Sequence, residues 1–163
     1  MPDTASTNSA KPSYLGLLNA IAVGEARAHR YLGEWIAVCT DPEVRAVLQT
    51  VAWREGEHGM SFAKRIDELG FSVRRRDDPD LERDLELARS TELSDREKMD
   101  HFGLGRLNET LSFFDDIFKD HTIDIRTGEL LGRYVAEEFD SARLLAACYG
   151  RLCETAAETT TSA

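Results

Sequence analysis

Carboxylates and imidazoles interrupt the apolar faces of the helices predicted for this chain. Glu55 and His58 are three residues apart, so they lie on one helix face, between the apolar Val51 and Phe62. An ionised carboxylate that is buried without a partner costs many kcal/mol, and it therefore needs an opposite charge or a bound cation. Carboxylate oxygens and imidazole nitrogens together are typical ligands of iron and manganese. The segment thus predicts a buried metal site.

The same pattern occurs on two more predicted helices. Glu25 and His29 interrupt the apolar stripe of the first helix, and Glu137 and Asp140 interrupt that of the last. Glu55 and Glu137 each lie near the middle of their helix, so we expect these groups at one level of a helical bundle. The candidate metal ligands are Glu25, His29, Glu55, His58, Glu137 and Asp140.

Four long amphipathic helices are predicted to position these side chains. Their approximate ranges are 13–39, 42–69, 94–120 and 124–152, with a short helix from about 78 to 88. Asp41, Gly70 and the capping box that begins at Ser94 mark the boundaries between them.

The lengths of the connections predict how the helices are arranged. Short links make antiparallel hairpins of helices one and two and of helices three and four. The connection between the hairpins is long enough to cross the bundle. The predicted fold class is therefore all-α, with one four-helix domain over 13–154. Polar tails at 1–12 and 155–163 bury too little apolar surface to be ordered.

This arrangement resembles the ferritin-like di-iron superfamily, and its size is similar to that of rubrerythrin-type and bacterioferritin-type bundles. Those folds place one glutamate on each of two helices and a Glu-x-x-His motif on each of the other two. Glu25 matches the first glutamate, Glu55 and His58 match one motif, and Glu137 matches the glutamate of the other.

The sequence departs from the family pattern in two places. Asp140 stands where the second histidine is expected. The third helix has no clear glutamate, because Leu107 is apolar and Asn108 lies at the edge of the stripe. Glu109 is an alternative ligand if the helix phase shifts, and His29 is an additional imidazole that compensates for a missing ligand. Two further alternatives lie on the same edge of the third helix: His101 and Asp115.

The resemblance implies two iron or manganese ions and the activation of dioxygen or peroxide. The outcome would be ferroxidation, peroxide reduction or substrate oxidation. No paired CxxC motif for a rubredoxin-type iron site is present, and no methionine suggests haem ligation. The electrons are therefore expected from an external donor.

The alternative hypothesis is a degenerate, metal-free bundle that acts as a dimeric interaction protein, with Trp35, Trp53 or Phe113 at the interface. Its polar residues would form a hydrogen-bonded network. Two histidines carry at most two positive charges against four carboxylates, so this network needs at least two protonated acids. A storage cage is disfavoured, because the polar segment after Leu152 cannot build a fifth helix.

Composition excludes several classes of partner. The net charge of −10 disfavours binding to nucleic acids and to anionic membranes. No apolar run approaches the roughly 20 residues that span a bilayer. Three cysteines without a paired motif are typical of a reducing compartment, which predicts a cytoplasmic protein. The expected oligomeric state is a homodimer.

Overall fold

The computed structural model describes residues 11–105 and 119–161, with side chains up to residue 155. Within these residues the regular structure is helical and contains no strand, which confirms the all-α class. The helices are α1 (Leu15–Val38), α2 (Pro42–Glu68), α3 (Leu81–Arg89), α4 (Asp95–Phe102) and α5 (Ile125–Thr161). Most of the predicted tail at 1–12 lies outside the described residues.

The boundary signals that the sequence carries are confirmed. Asp41 caps α2 by accepting hydrogen bonds from the backbone amides of Glu43 and Val44, with Pro42 at the first helical position. Gly70 follows α2 with a positive φ of 82°. The side chain of Ser94 and that of Glu97 form the reciprocal capping box of α4. Local chemistry therefore fixes these helix ends.

Helices α1, α2 and α5 pack side by side and carry the residues of the site. The ion pair of Arg65 with Asp124 and that of Arg54 with Asp140 show that α5 runs antiparallel to α2. Tyr14 also donates a hydrogen bond to Asp124, which places the beginnings of α1 and α5 at the same end.

Two apolar cores lie at opposite ends of this three-helix unit. Each of the three helices contributes to both cores, and the acids and imidazoles fall between the two contributions along each helix. One core is built around Trp35, Leu48, Met99 and Leu145. The other is built around Leu18, Phe62, Ile66 and Leu131. The acids and imidazoles thus form a polar level between the two apolar cores.

The prediction of one long third helix from Ser94 to Asp120 is wrong, because the helix stops before Gly103. Helix α4 ends at Phe102, because Gly103 adopts a left-handed φ of 67°, and a short 3₁₀ turn follows at Leu104 and Gly105. Residues 106–118, with the candidate ligands Asn108, Glu109 and Asp115, lie outside the described residues.

The last helix differs from its prediction in length and in phase. It continues to Thr161, through most of the segment for which a tail was predicted. The apolar pattern predicts Leu130, Tyr134, Leu144 and Cys148 on its inward face. Tyr134 and Cys148 are buried, but Leu130 and Leu144 are half-buried, and Leu131 and Leu145 are buried instead. The inward face therefore keeps part of the predicted stripe and is shifted toward Leu131 and Leu145.

Candidate metal centre

Three side chains from three helices converge at the polar level. Glu25 on α1, His58 on α2 and Glu138 on α5 each bring one oxygen or nitrogen atom into a group in which all atoms lie within 4.8 Å of one another. Glu25 and His58 are 7% and 3% exposed, respectively, and Glu138 is half-buried. This group is called the ligand cluster below.

The converging atoms have no hydrogen-bond partner. These atoms are Glu25 Oε2, His58 Nδ1 and Glu138 Oε1. His58 Nδ1 lies 3.5 Å from Glu25 Oε2 and 3.6 Å from Glu138 Oε1, which is too long for a good hydrogen bond. Ligands at about 2.1 Å from a shared ion lie about 3 to 3.5 Å from one another. The two distances from His58 Nδ1 are therefore close to those between neighbouring ligands of one ion.

A hydrogen bond to Glu137 orients the imidazole of His58. His58 Nε2 lies 2.6 Å from Glu137 Oε2, and Arg133 Nε donates to the other oxygen of Glu137 at 3.1 Å. In the neutral tautomer that keeps its proton on Nε2 against this carboxylate, the lone pair of Nδ1 points into the cluster. A carboxylate behind a histidine in this way is the usual support of a metal-bound imidazole.

Tyr134 and Glu55 contact Glu25. The Tyr134 hydroxyl donates to Glu25 Oε1 at 2.9 Å, which leaves Oε2 directed at His58. Burial, together with a hydrogen bond to Glu25, raises the pKa of Glu55 far above its usual range, so this carboxyl is protonated. Burial alone would raise the pKa of Glu25, but His58, Glu55 and Tyr134 outweigh burial and lower it.

The other two members of the ligand cluster also have shifted pKa values. Burial opposes the charge on His58, but Glu25 and Glu137 raise its pKa on balance. Burial, followed by the charge of Glu25, raises the pKa of Glu138 to about 7. Without an ion the cluster thus holds protons at neutral pH, and an entering cation would displace them.

Two glycines in the middle of α2 allow α1 to approach. A Cβ on Gly59 would lie 3.2 Å from the backbone nitrogen of Ala26, and one on Gly56 would lie 2.9 Å from His29 Nδ1. The contact at Gly59 would push the helices apart, because it is with backbone, whereas the exposed side chain of His29 would have to move away from a Cβ on Gly56. Gly59, next to His58, therefore allows the close approach that brings His58 to Glu25.

The structure brings some of the predicted residues together and not others. Glu25, Glu55 and His58 converge, while Glu137 contacts the outer nitrogen of His58. Asp140 points to ion pairs with Arg54 at 2.7 Å and with Arg143 at 2.7 Å. His29 is exposed, and its Nδ1 lies 2.7 Å from the carbonyl oxygen of Ala52.

Sequence reasoning missed Glu138, Tyr134 and Arg54 as parts of the site. The signal for Glu138 was present, since it continues the apolar steps from Leu131 and Val135 toward Leu145. No signal in the sequence identified Arg54, because an arginine beside a buried stripe is usually solvated.

Comparisons with known proteins found no match among protein-family models, curated proteins or solved structures. Among the described residues, no helix has both the length and the apolar character needed to cross a membrane. The ligand cluster is therefore the feature that points to a function.

Proposed function

We propose that the protein binds a divalent transition-metal ion, iron or manganese by the chemistry of the donors, between α1, α2 and α5. Glu25, His58 and Glu138 would be its protein ligands. One imidazole and two carboxylates suit these metals, and three protein ligands leave coordination positions for water or a substrate.

The observation that carries this proposal is the set of partnerless atoms in the ligand cluster. A buried polar atom without a hydrogen bond costs about 1 to 3 kcal/mol, and native proteins contain few of them. Here three such atoms, on three different helices, face a common point. A bound cation would satisfy all three together.

The experiment measures metal content and affinity. The protein is purified without chelators, stripped, and titrated with Mn²⁺ and, anaerobically, with Fe²⁺, using elemental analysis and calorimetry. We expect wild type to bind the ion, and Glu138→Gln and His58→Ala to lose binding. Glu129→Gln is the matched control, because Glu129 is an exposed glutamate on α5, the helix that carries Glu138. Absence of metal from wild type after both titrations would contradict the proposal.

Glu137→Gln separates ligands from supporting residues. If Glu137 only orients His58, the variant still binds the ion about tenfold to hundredfold more weakly. Complete loss of binding in Glu137→Gln would instead assign Glu137 as a ligand.

The ferritin-like four-helix arrangement and the oxidoreductase activity belong to this proposal as predictions. Two features support the arrangement: the α1–α2 hairpin, and the parallel alignment of α1 with α5 that follows a connection across the bundle. Oxidation of Fe²⁺ by dioxygen or peroxide, followed by absorbance, tests the activity. Without metal binding, the metal-free dimeric interaction protein becomes the better hypothesis, and sizing chromatography tests it.

A further inference from the structure

Arg54 lies beside the ligand cluster and contacts two residues of α5. Its Nη1 donates to Ser141 Oγ at 3.0 Å, and its Nη2 donates to Asp140 Oδ2 at 2.7 Å. Ser141 is only 3% exposed. The guanidinium thus lies at a largely buried position between α2 and α5.

Ser141 is one helical turn beyond Glu138 and faces the same side of α5. Two-ion sites in helical bundles take a Glu-x-x-His pair from each of two helices. Helix α2 supplies such a pair with Glu55 and His58, but α5 supplies Glu138 followed by Ser141. The hydroxyl at the second position is engaged by Arg54, so α5 offers no imidazole there.

The charges around this position are already balanced by arginines. Asp140 pairs with Arg54 and Arg143, and Glu137 pairs with Arg133 and His58. An arginine keeps its charge at every accessible pH. A second dication placed next to the guanidinium would meet repulsion rather than free carboxylates.

We propose that the guanidinium of Arg54 takes the place of a second ion, so that the site between α1, α2 and α5 holds one divalent cation per chain. This inference rests on the proposed function, because it concerns the same site. It assigns Arg54 as the fixed positive charge that stands where a second ion would lie.

The test is the stoichiometry of Mn²⁺ bound to the full-length wild-type chain, measured by calorimetry and elemental analysis. One equivalent supports the inference. Two equivalents would overturn it while leaving the proposed function intact, whereas zero equivalents would contradict the proposed function. This measurement does not depend on any variant being folded.

Variants at position 54 test the role of the charge. Arg54→Gln removes the charge and keeps an amide donor on a shorter side chain, and Arg54→Lys keeps the charge. We expect Arg54→Gln to bind Mn²⁺ at least about threefold more tightly, because the repulsion is removed, and Arg54→Lys to bind like wild type. Equal or weaker binding by Arg54→Gln, with its helical circular dichroism unchanged, would overturn the assignment to Arg54.

Discussion

At the scale of single residues, the environment of Glu138 determines how the metal-free protein responds to pH. Its carboxyl is desolvated and lies near the charges of Glu25 and Glu137, with partial compensation from His58 and Arg54. Its pKa is therefore raised to about 7. The folded protein holds this proton to a higher pH than the unfolded chain, which releases it near its ordinary value of about 4.3.

We predict that the metal-free protein loses stability as the pH rises from about 4.5 to about 7, by up to about 3 kcal/mol from this group. In Glu138→Gln the loss should be smaller, because the amide does not ionise. Urea unfolding in the presence of a chelator, at pH 5 and pH 8, measures the difference.

Glu129→Gln should follow wild type in this comparison, because the side chain of Glu129 is exposed. Identical pH dependence in wild type and Glu138→Gln would contradict the prediction. Metal affinity should change in the opposite sense and increase with pH, since the ion displaces protons from the ligand cluster.

The sequence predicted part of this site because burial of charge is visible in a helical pattern. Glu25, Glu55 and His58 lie on stripes whose neighbours are clearly apolar, so their phase was unambiguous. Glu137 and Glu138 are adjacent acids, and a one-residue error in phase exchanges them. Tyr134 was recognised as a core residue, but only coordinates show that its hydroxyl reaches Glu25.

At the scale of helices, a network around Asp124 fixes the beginning of α5 and hence the position of Glu138. Asp124 accepts hydrogen bonds from the amide and hydroxyl of Thr127, from Tyr14 and from Arg65. Burial opposes its charge, but these donors together outweigh burial and lower the pKa of Asp124 well below its usual value. One residue therefore joins α1, α2 and α5 at one end.

We predict that Asp124→Ala lowers the free energy of unfolding at pH 7 by about 1 to 2 kcal/mol, since a helix cap and its partners are lost. The depressed pKa means that this contribution is present above pH 4 and disappears as the pH falls further. Chemical unfolding at pH 7 and pH 3 measures both effects. Asp67→Ala, at an exposed position of α2, is the control. A difference from wild type as large at pH 3 as at pH 7 would count against the assigned role.

The helix boundaries were predicted correctly where a local cap defines them. The prediction was wrong where the local sequence is compatible with two structures. Asp41 and Ser94 are followed by residues that complete a cap, so both starts were predicted. Gly103 lies inside a pattern that is otherwise helical, and a glycine there is compatible with either a continuing helix or a left-handed end. In the structure Gly103 ends the helix in the left-handed conformation, with a φ of 67°.

At the scale of the whole molecule, the ligand cluster joins three helices between two apolar cores. An ion bound only by the folded protein adds its binding free energy to stability. At a free concentration one hundredfold above the dissociation constant, this amounts to about 2.7 kcal/mol.

We therefore predict that saturating Mn²⁺ raises the melting temperature of wild type by about 5 to 10 °C. A chelator should reverse the change. His58→Ala should melt at the same temperature with and without the ion, and Glu129→Gln should respond as wild type does. Stabilisation of His58→Ala by Mn²⁺ would show that the ion binds elsewhere.

The all-α class was predictable because the periodicity of apolar residues is an average over many positions. The number and identity of the candidate ligands were less predictable, because each candidate depends on the orientation of one side chain. From the sequence, histidines were the only internal cations expected to balance the buried acids. The structure adds Arg54 and Arg133, whose long side chains reach the acids from the rim of the bundle.

The order of the ligands along the chain has a consequence for biosynthesis. Glu25 and His58 belong to the hairpin that leaves the ribosome first, whereas Tyr134 contacts Glu25 across 109 positions, and Glu138 follows Tyr134. A nascent hairpin would carry only part of the coordination sphere and would release a captured ion readily. Under the proposed function, metal acquisition is therefore a late event, coupled to the docking of α5 after its translation.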